Sequence, residues 1–237
     1  GQGIEGIPTD EAELVDLFGV GWWKYDVDKA AELLEGVGFT RDGGGNWLKP
    51  DGSPWQITIN APANFEVQSG RLAFAVADTW RNFGIDATVQ QMEAGTFWNS
   101  NSTGQFDAGS YWPGCGVIPD VFDAMNGQWN NKFIVPVGQP APGNAHRHDS
   151  QVLTDLLNQI EPLTSTDPKT IELTTEFMKA WVAEMPWLPM FGTSKFVPVD
   201  TYYWDGLPTS ENAYEGPWWW WSLFKYMTPN FQPSGRE

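Results

Sequence analysis

Between Trp55 and Trp112 the apolar residues switch repeatedly between two spacings, and no other feature of the chain constrains its fold as tightly. In WQITINAP, residues Trp55, Ile57 and Ile59 alternate as they would along a half-buried strand. In EVQSGRLAFAVADTWRNFG, residues Leu72, Val76, Trp80 and Phe83 follow at steps of four, four and three, the spacing of one helical face, and Gly84 supplies a stop. IDATVQQM returns to alternation at Ile85, Ala87 and Val89, AGTFWNSNS predicts a short helix, and FDAGSYW from Phe106 predicts a third strand. Strand, helix, strand, helix, strand implies a parallel sheet, because parallel neighbours need a helix-length return. The expected class is α/β, with a mostly parallel sheet flanked by helices.

The flanking segments extend this plan. DVDKAAELLEGVGF predicts a short helix capped by Asp26, with Ala30, Leu33 and Leu34 on one stripe and Gly36 and Gly38 as its stop. Glycine turns on either side of Trp47 and Leu48 predict a small hairpin leading into the first strand. From Pro113 to Asn144 the chain is rich in Gly, Pro and Asn, too long and too aromatic for a plain connector, and reads as site-bearing. Asp149 or Ser150 caps a helix carrying Val152, Leu153, Leu156, Leu157 and Ile160, and Asp167-Pro168 opens a longer one carrying Ile171, Met178, Trp181 and Met185. MPWLPMFGTSKFVPVD then reads as an extended edge or crossover.

Composition excludes several functions. The 237 residues, 41% of them hydrophobic, suffice for one large domain or two small ones. The formal charge of -17 repels phosphate backbones and anionic lipids, so no nucleic-acid partner is expected. Cys115 is the single cysteine, which precludes an internal disulfide and a cysteine-rich zinc site. No run approaches the roughly 18 apolar residues of a membrane span. Fifteen tryptophans, four of them consecutive in YEGPWWWWSLFKYM, exceed what one face of a strand or helix can bury. Some of Trp218, Trp219, Trp220 and Trp221 must therefore meet a second surface.

Taken in series, YDVDKAAELLEGVGF, NWLKPDGSPWQITI, WRNFGIDATVQ and FDAGSYW resemble the carboxy-terminal portion of the family 5 extracellular solute-binding proteins of ABC transporters. That family comprises dipeptide, oligopeptide and oligosaccharide receptors. GNAHRHDSQVLTDLLNQI, DPKTIELTTEFMKAWVAEMPWLPMF and the aromatic tail continue the order, so the resemblance covers nearly the whole chain. It implies a type II periplasmic-binding-protein-like lobe over residues 1–190. Residues 191–237 are then a crossover and an aromatic tail that packs on an amino-terminal lobe, since family members are longer at the front. It further implies a receptor that is not an enzyme, periplasmic or extracellular, secreted or membrane-tethered, which closes two lobes about a small solute and passes it to an ABC permease.

In an open α/β sheet ligands collect at the carboxyl ends of the strands. Those ends are APANF, EAGTFW and YWPGCGVIPD, which supply Asn64, Phe65, Trp98, Tyr111, Trp112 and Asp120, with Asn126, Trp129 and Asn144 extending the set. Aromatic faces beside amides and a carboxylate suit a sugar, whose axial hydrogens stack while its hydroxyls need paired donors and acceptors. The same residue types also serve as turn caps and core aromatics. The tryptophan excess and the scarcity of basic residues favour an oligosaccharide over a peptide, whose charged termini call for ion pairs. A secreted glycoside hydrolase or a carbohydrate-binding module is the rival from another class. No cofactor or metal is expected: GQGIEG lacks the strand and helix that make G-x-G-x-x-G a phosphate site, and HRH at His146 to His148 reads as a solvated loop.

Overall fold

The computed structural model describes residues 25–63, 67–111, 121–190, 200–209, 211–212, 214 and 225–236. They form two compact units, one of residues that precede Trp187 and one of residues from Trp187 onward.

The first unit opens with α1 (Val27–Gly36), whose Asp26 carboxylate accepts from the Lys29 amide at 2.8 Å. This helix buries none of its residues fully and rests on the core through Ala31 and Leu34. The hairpin of β1 (Thr40–Arg41) and β2 (Trp47–Leu48) follows, in antiparallel register Arg41↔Trp47. Trp47 is 1% exposed and closes one end of the core against Phe83, while the Arg41 guanidinium lies 4.0 Å above its ring. Gly84 has φ +99°, and a Cβ there would stand 2.6 Å from the Gly45 carbonyl oxygen, so no other residue fits the turn.

Three parallel strands make the sheet. β3 (Gln56–Pro62) is central, β4 (Asp86–Met92) pairs along its whole length from Gln56↔Asp86 to Pro62↔Met92, and β5 (Ala108–Gly109) pairs only at Ile59 and Asn60. From Ile59 to Pro62 the central strand is buried at every position, so the expected alternation gives way to burial on both faces. The edge strand β4 keeps it, with Ala87 buried between exposed Asp86 and Thr88.

The crossover helix α2 (Val67–Phe83) corrects the expected stripe. Its fully buried line is Ala73 and Ala77, both at 0% exposure, while Val76, Trp80 and Phe83 flank it half-buried. Small side chains let the helix axis lie close over Ile59, Ala61 and Ala87 of the sheet, and the large residues fill the margins.

After β4, α3 (Ala94–Thr103) is capped by the Glu93 carboxylate on the Thr96 amide and ends at Gly104 in the left-handed region. The Gly/Pro/Asn-rich stretch holds an unexpected helix, α4 (Val121–Trp129), followed by a single 3-10 turn at Asn131–Phe133. Of the two caps proposed for α5 (Gln151–Ile160), Ser150 is the one used; Asp167 and Pro168 open α6 (Pro168–Glu184) as expected. The α6 stripe is again displaced. Leu173, Thr174, Phe177 and Val182 are buried, whereas Ile171 is 43% exposed.

In the second unit β6 (Trp204–Asp205) pairs antiparallel with β7 (Gln232–Pro233), and Met227 is buried. Tyr202, Tyr203 and Trp204 are exposed there. The expected contact of Trp218 to Trp221 with another lobe, and most of the crossover at Trp187 to Val199, lie outside the described residues.

Candidate functional site

The carboxyl ends of β4 and β5 carry an aromatic series. Phe97 and Trp98 project from α3, directly after β4, and Tyr111 follows β5 by two residues. Phe97 is buried and forms the base: Trp98 meets its ring edge-on at 5.1 Å and Tyr111 meets it edge-on at 5.4 Å. Trp98 and Tyr111 are themselves perpendicular, 5.5 Å apart, and Trp98 keeps 39% of its surface exposed. The result is a corner of two aromatic walls in which Trp98 is partly exposed.

Behind this corner the series continues through His146. Its ring is near-parallel to Tyr111, at 15° and 6.3 Å, and its Nε2 lies 3.2 Å from the Tyr111 hydroxyl. On the other side it is near-parallel to Trp129 at 23° and 5.8 Å, and Trp129 in turn meets Trp181 edge-on at 5.8 Å. Burial, aided by the nearby His148, pushes the His146 pKa down to about 4, so the ring is neutral near pH 7. Burial also raises the Tyr111 phenol, opposed by a hydrogen bond from Asn101. His148 reaches the Glu184 carboxylate at 2.5 Å, and the other oxygen of that carboxylate accepts from the Ser150 hydroxyl at 2.8 Å.

These contacts overturn the solvated-loop reading of HRH. His146, Arg147 and His148 are all partly buried, and Arg147 is a clamp. Its guanidinium donates to the carbonyl oxygens of Val135 at 3.0 Å, Ala145 at 2.6 Å, Gln139 at 2.8 Å and Ser102 at 3.3 Å. Gly104 is obligatory beneath it, because a Cβ there would run into the guanidinium.

Of the expected ligand-binding residues, Trp98 and Tyr111 lie together at the strand ends. Trp129 is 5% exposed and backs the corner through His146. Asn126 accepts from the Asn130 amide at 2.9 Å. Asn144 is 1% exposed, and its side chain is spent on the loop: the amide donates to the carbonyl oxygens of Asn130 and His148, and its oxygen accepts from the His148 N–H. In this structure Asn144 offers no face to a solute. Asn64, Phe65, Trp112 and Asp120 lie outside the described residues. Sequence reasoning missed His146, Asn101 and Arg147; the one available signal was that both histidines of the chain fall in this loop. Among the described residues no group of three or more His, Cys, Asp or Glu side chains converges as a metal site.

A family model described as bacterial extracellular solute-binding proteins, family 5 Middle, matches residues 3–133. Comparison with curated proteins gives no match. Among solved structures the chain is similar to a periplasmic oligopeptide-binding protein of an oligopeptide ABC transporter from Thermotoga maritima, with mannohexaose bound. There the TM-score is 0.74 at 19% identity, over 95% of this chain and 42% of that one. It is also similar to NikZ from Campylobacter jejuni in complex with Ni(L-His), with TM-score 0.60 and 21% identity over 69% and 31% of the two chains. The oligopeptide-binding protein AppA from Bacillus subtilis, in complex with a nonapeptide, gives TM-score 0.58 and 17% identity over 70% and 31%. At these identities the likeness establishes the fold, the type II periplasmic-binding-protein architecture, and this chain spans less than half the length of each of the three.

Proposed function

This chain belongs to the family 5 bacterial extracellular solute-binding proteins, and on that premise we propose that it is the carboxy-terminal lobe of the substrate-binding component of an ABC importer, with an oligosaccharide as its solute. The observation that carries the sugar reading is the corner of Trp98 and Tyr111, perpendicular at 5.5 Å with Trp98 39% exposed. A pyranose offers an apolar patch of axial hydrogens that stacks on an aromatic face, while its hydroxyls exchange hydrogen bonds with neutral groups. A peptide's charged termini would need compensating charge, and His146, the ionisable group behind the corner, is held neutral by burial. A solute seen by two lobes would be enclosed by their closure and released to a membrane permease. Residues 191–237, with the tryptophan run, would pack on the other lobe. Such a receptor works outside the cytoplasmic membrane, and among the described residues no helix is long and apolar enough to cross one.

Titration calorimetry of the chain against mannohexaose, shorter oligosaccharides, a dipeptide and a nonapeptide tests this reading. Weak saturable binding of oligosaccharides, with no product on prolonged incubation, is expected, because the chain tested spans less than half the length of the receptors it is similar to. Tenfold tighter binding of peptides would replace the sugar with a peptide, and release of shorter sugars would make the protein a hydrolase.

A further inference from the structure

We propose that His146 is a positioning residue of this corner: through Nε2 it fixes the Tyr111 hydroxyl, so that Tyr111 presents its ring face and not its hydroxyl to the solute. The inference rests on the ligand-binding reading of the Trp98–Tyr111 corner. A phenol has one hydrogen to donate, and its oxygen accepts. The Tyr111 hydroxyl lies 3.2 Å from Nε2 of His146, and in the proposed arrangement it donates its hydrogen there. The two ring planes lie within 15° of each other, with their centroids 6.3 Å apart. With its hydroxyl engaged by His146, Tyr111 leaves a solute an apolar ring surface turned at right angles to Trp98.

The imidazole is itself held. Trp129, 5% exposed, lies near-parallel to one face of it, Phe106 meets it edge-on at 6.4 Å, and Arg147, next in sequence, is fastened to four carbonyls. The titratable and charged groups around it are Tyr111 at the end of β5, Arg147 and His148 in its own loop, and Glu184 of α6, which engages His148. Accepting from the phenol at Nε2 places the imidazole proton on Nδ1, a tautomer that can be observed directly.

The test has two arms. Nitrogen-15 spectra of the wild-type ring are expected to show the Nδ1–H tautomer at pH 7, and Tyr111→Phe is expected to shift the tautomer balance. An Nε2–H tautomer in the wild type would overturn the proposal, because the Tyr111 hydrogen would then be free to face the solute. In the second arm mannohexaose is titrated into the wild type, His146→Phe and His146→Gln. His146→Phe keeps a flat ring without an acceptor and should weaken binding about tenfold, the scale of one lost hydrogen bond. His146→Gln restores an acceptor oxygen and should recover binding to within about threefold. A histidine that merely fills space would show the reverse order, and equal binding by all three would also overturn the proposal. Absence of oligosaccharide binding in the wild type would sink the sugar reading, whereas the tautomer arm decides the positioning by itself.

Discussion

Replacing Arg147 with alanine removes the donor from four carbonyls at once. The bonds to Ala145 at 2.6 Å, Gln139 at 2.8 Å and Val135 at 3.0 Å are of full strength, and the one to Ser102 at 3.3 Å is long. At about 1 kcal/mol net for each of the three short bonds, and less for the fourth, the loss is about 3 kcal/mol. The backbone adds nothing to the difference: φ at Arg147 is +55°, and alanine is strained there to the same degree. Lysine keeps the charge but offers a compact ammonium in place of a planar fork, and should recover about half of the loss. Urea titrations followed by tryptophan fluorescence read the effect. With a slope of about 2 to 3 kcal/mol/M, the alanine midpoint should fall by about 1 M at unchanged slope. A fall below about 0.3 M, or a lysine variant equal to the wild type, would refute the clamp and mean that the 135–148 loop is held by other contacts.

Trp98→Ala should weaken mannohexaose binding by about 1 to 3 kcal/mol with a smaller change in stability, since the side chain is 39% exposed; calorimetry beside a urea titration checks both. Ala77→Leu should destabilise by about 1 to 3 kcal/mol through overpacking at 0% exposure, whereas Phe74→Ser, at a position 48% exposed, should stay within about 0.5 kcal/mol. The native His146 pKa of about 4 lies below the ordinary 6.5, so between those values the unfolded chain binds a proton that the native chain does not. Stability should therefore fall as pH drops from about 6.5 to about 4, by at most about 3 kcal/mol from this group, and level off below. Urea midpoints across that range should fall less steeply in His146→Phe, and equal slopes would contradict the assignment.

Helix boundaries and the parallel pairing of the strands were legible because their causes are local. Asp26, Ser150 and Asp167 each cap with a side chain on an amide two or three residues ahead, and the switch between spacings required a parallel sheet. Buried faces were less legible. A search for large apolar residues overlooks Ala73 and Ala77, where close approach of helix to sheet selects the smallest side chains. The strand-end rule pointed to Trp98 and Tyr111, which the fold brings side by side. It could not find what holds them, because that depends on Arg147 reaching carbonyls as far as Ser102, 45 positions away, and on left-handed backbone at Asn144 and Arg147. Nothing in the residue types announces either. The loop bonds of Asn144 were hidden for the same reason, since an amide used by its own loop reads identically to one awaiting a ligand.

The brevity of β5 has a kinetic and evolutionary consequence. β3 and β4 share seven residue pairs and β3 and β5 only two, so the β5 amides should exchange with solvent through small local openings that leave the β3–β4 ladder intact. Tyr111 rides on this loosely laddered edge, and side chains do the anchoring: the Ser110 hydroxyl donates to the Ser69 carbonyl at 2.8 Å, and His146 holds the phenol. A binding surface attached in this way can drift in sequence without shifting the register of the sheet beneath it. On the proposed reading, substitutions at the β5 end and in the 144–148 loop would change the solute while the βαβ scaffold stays the same.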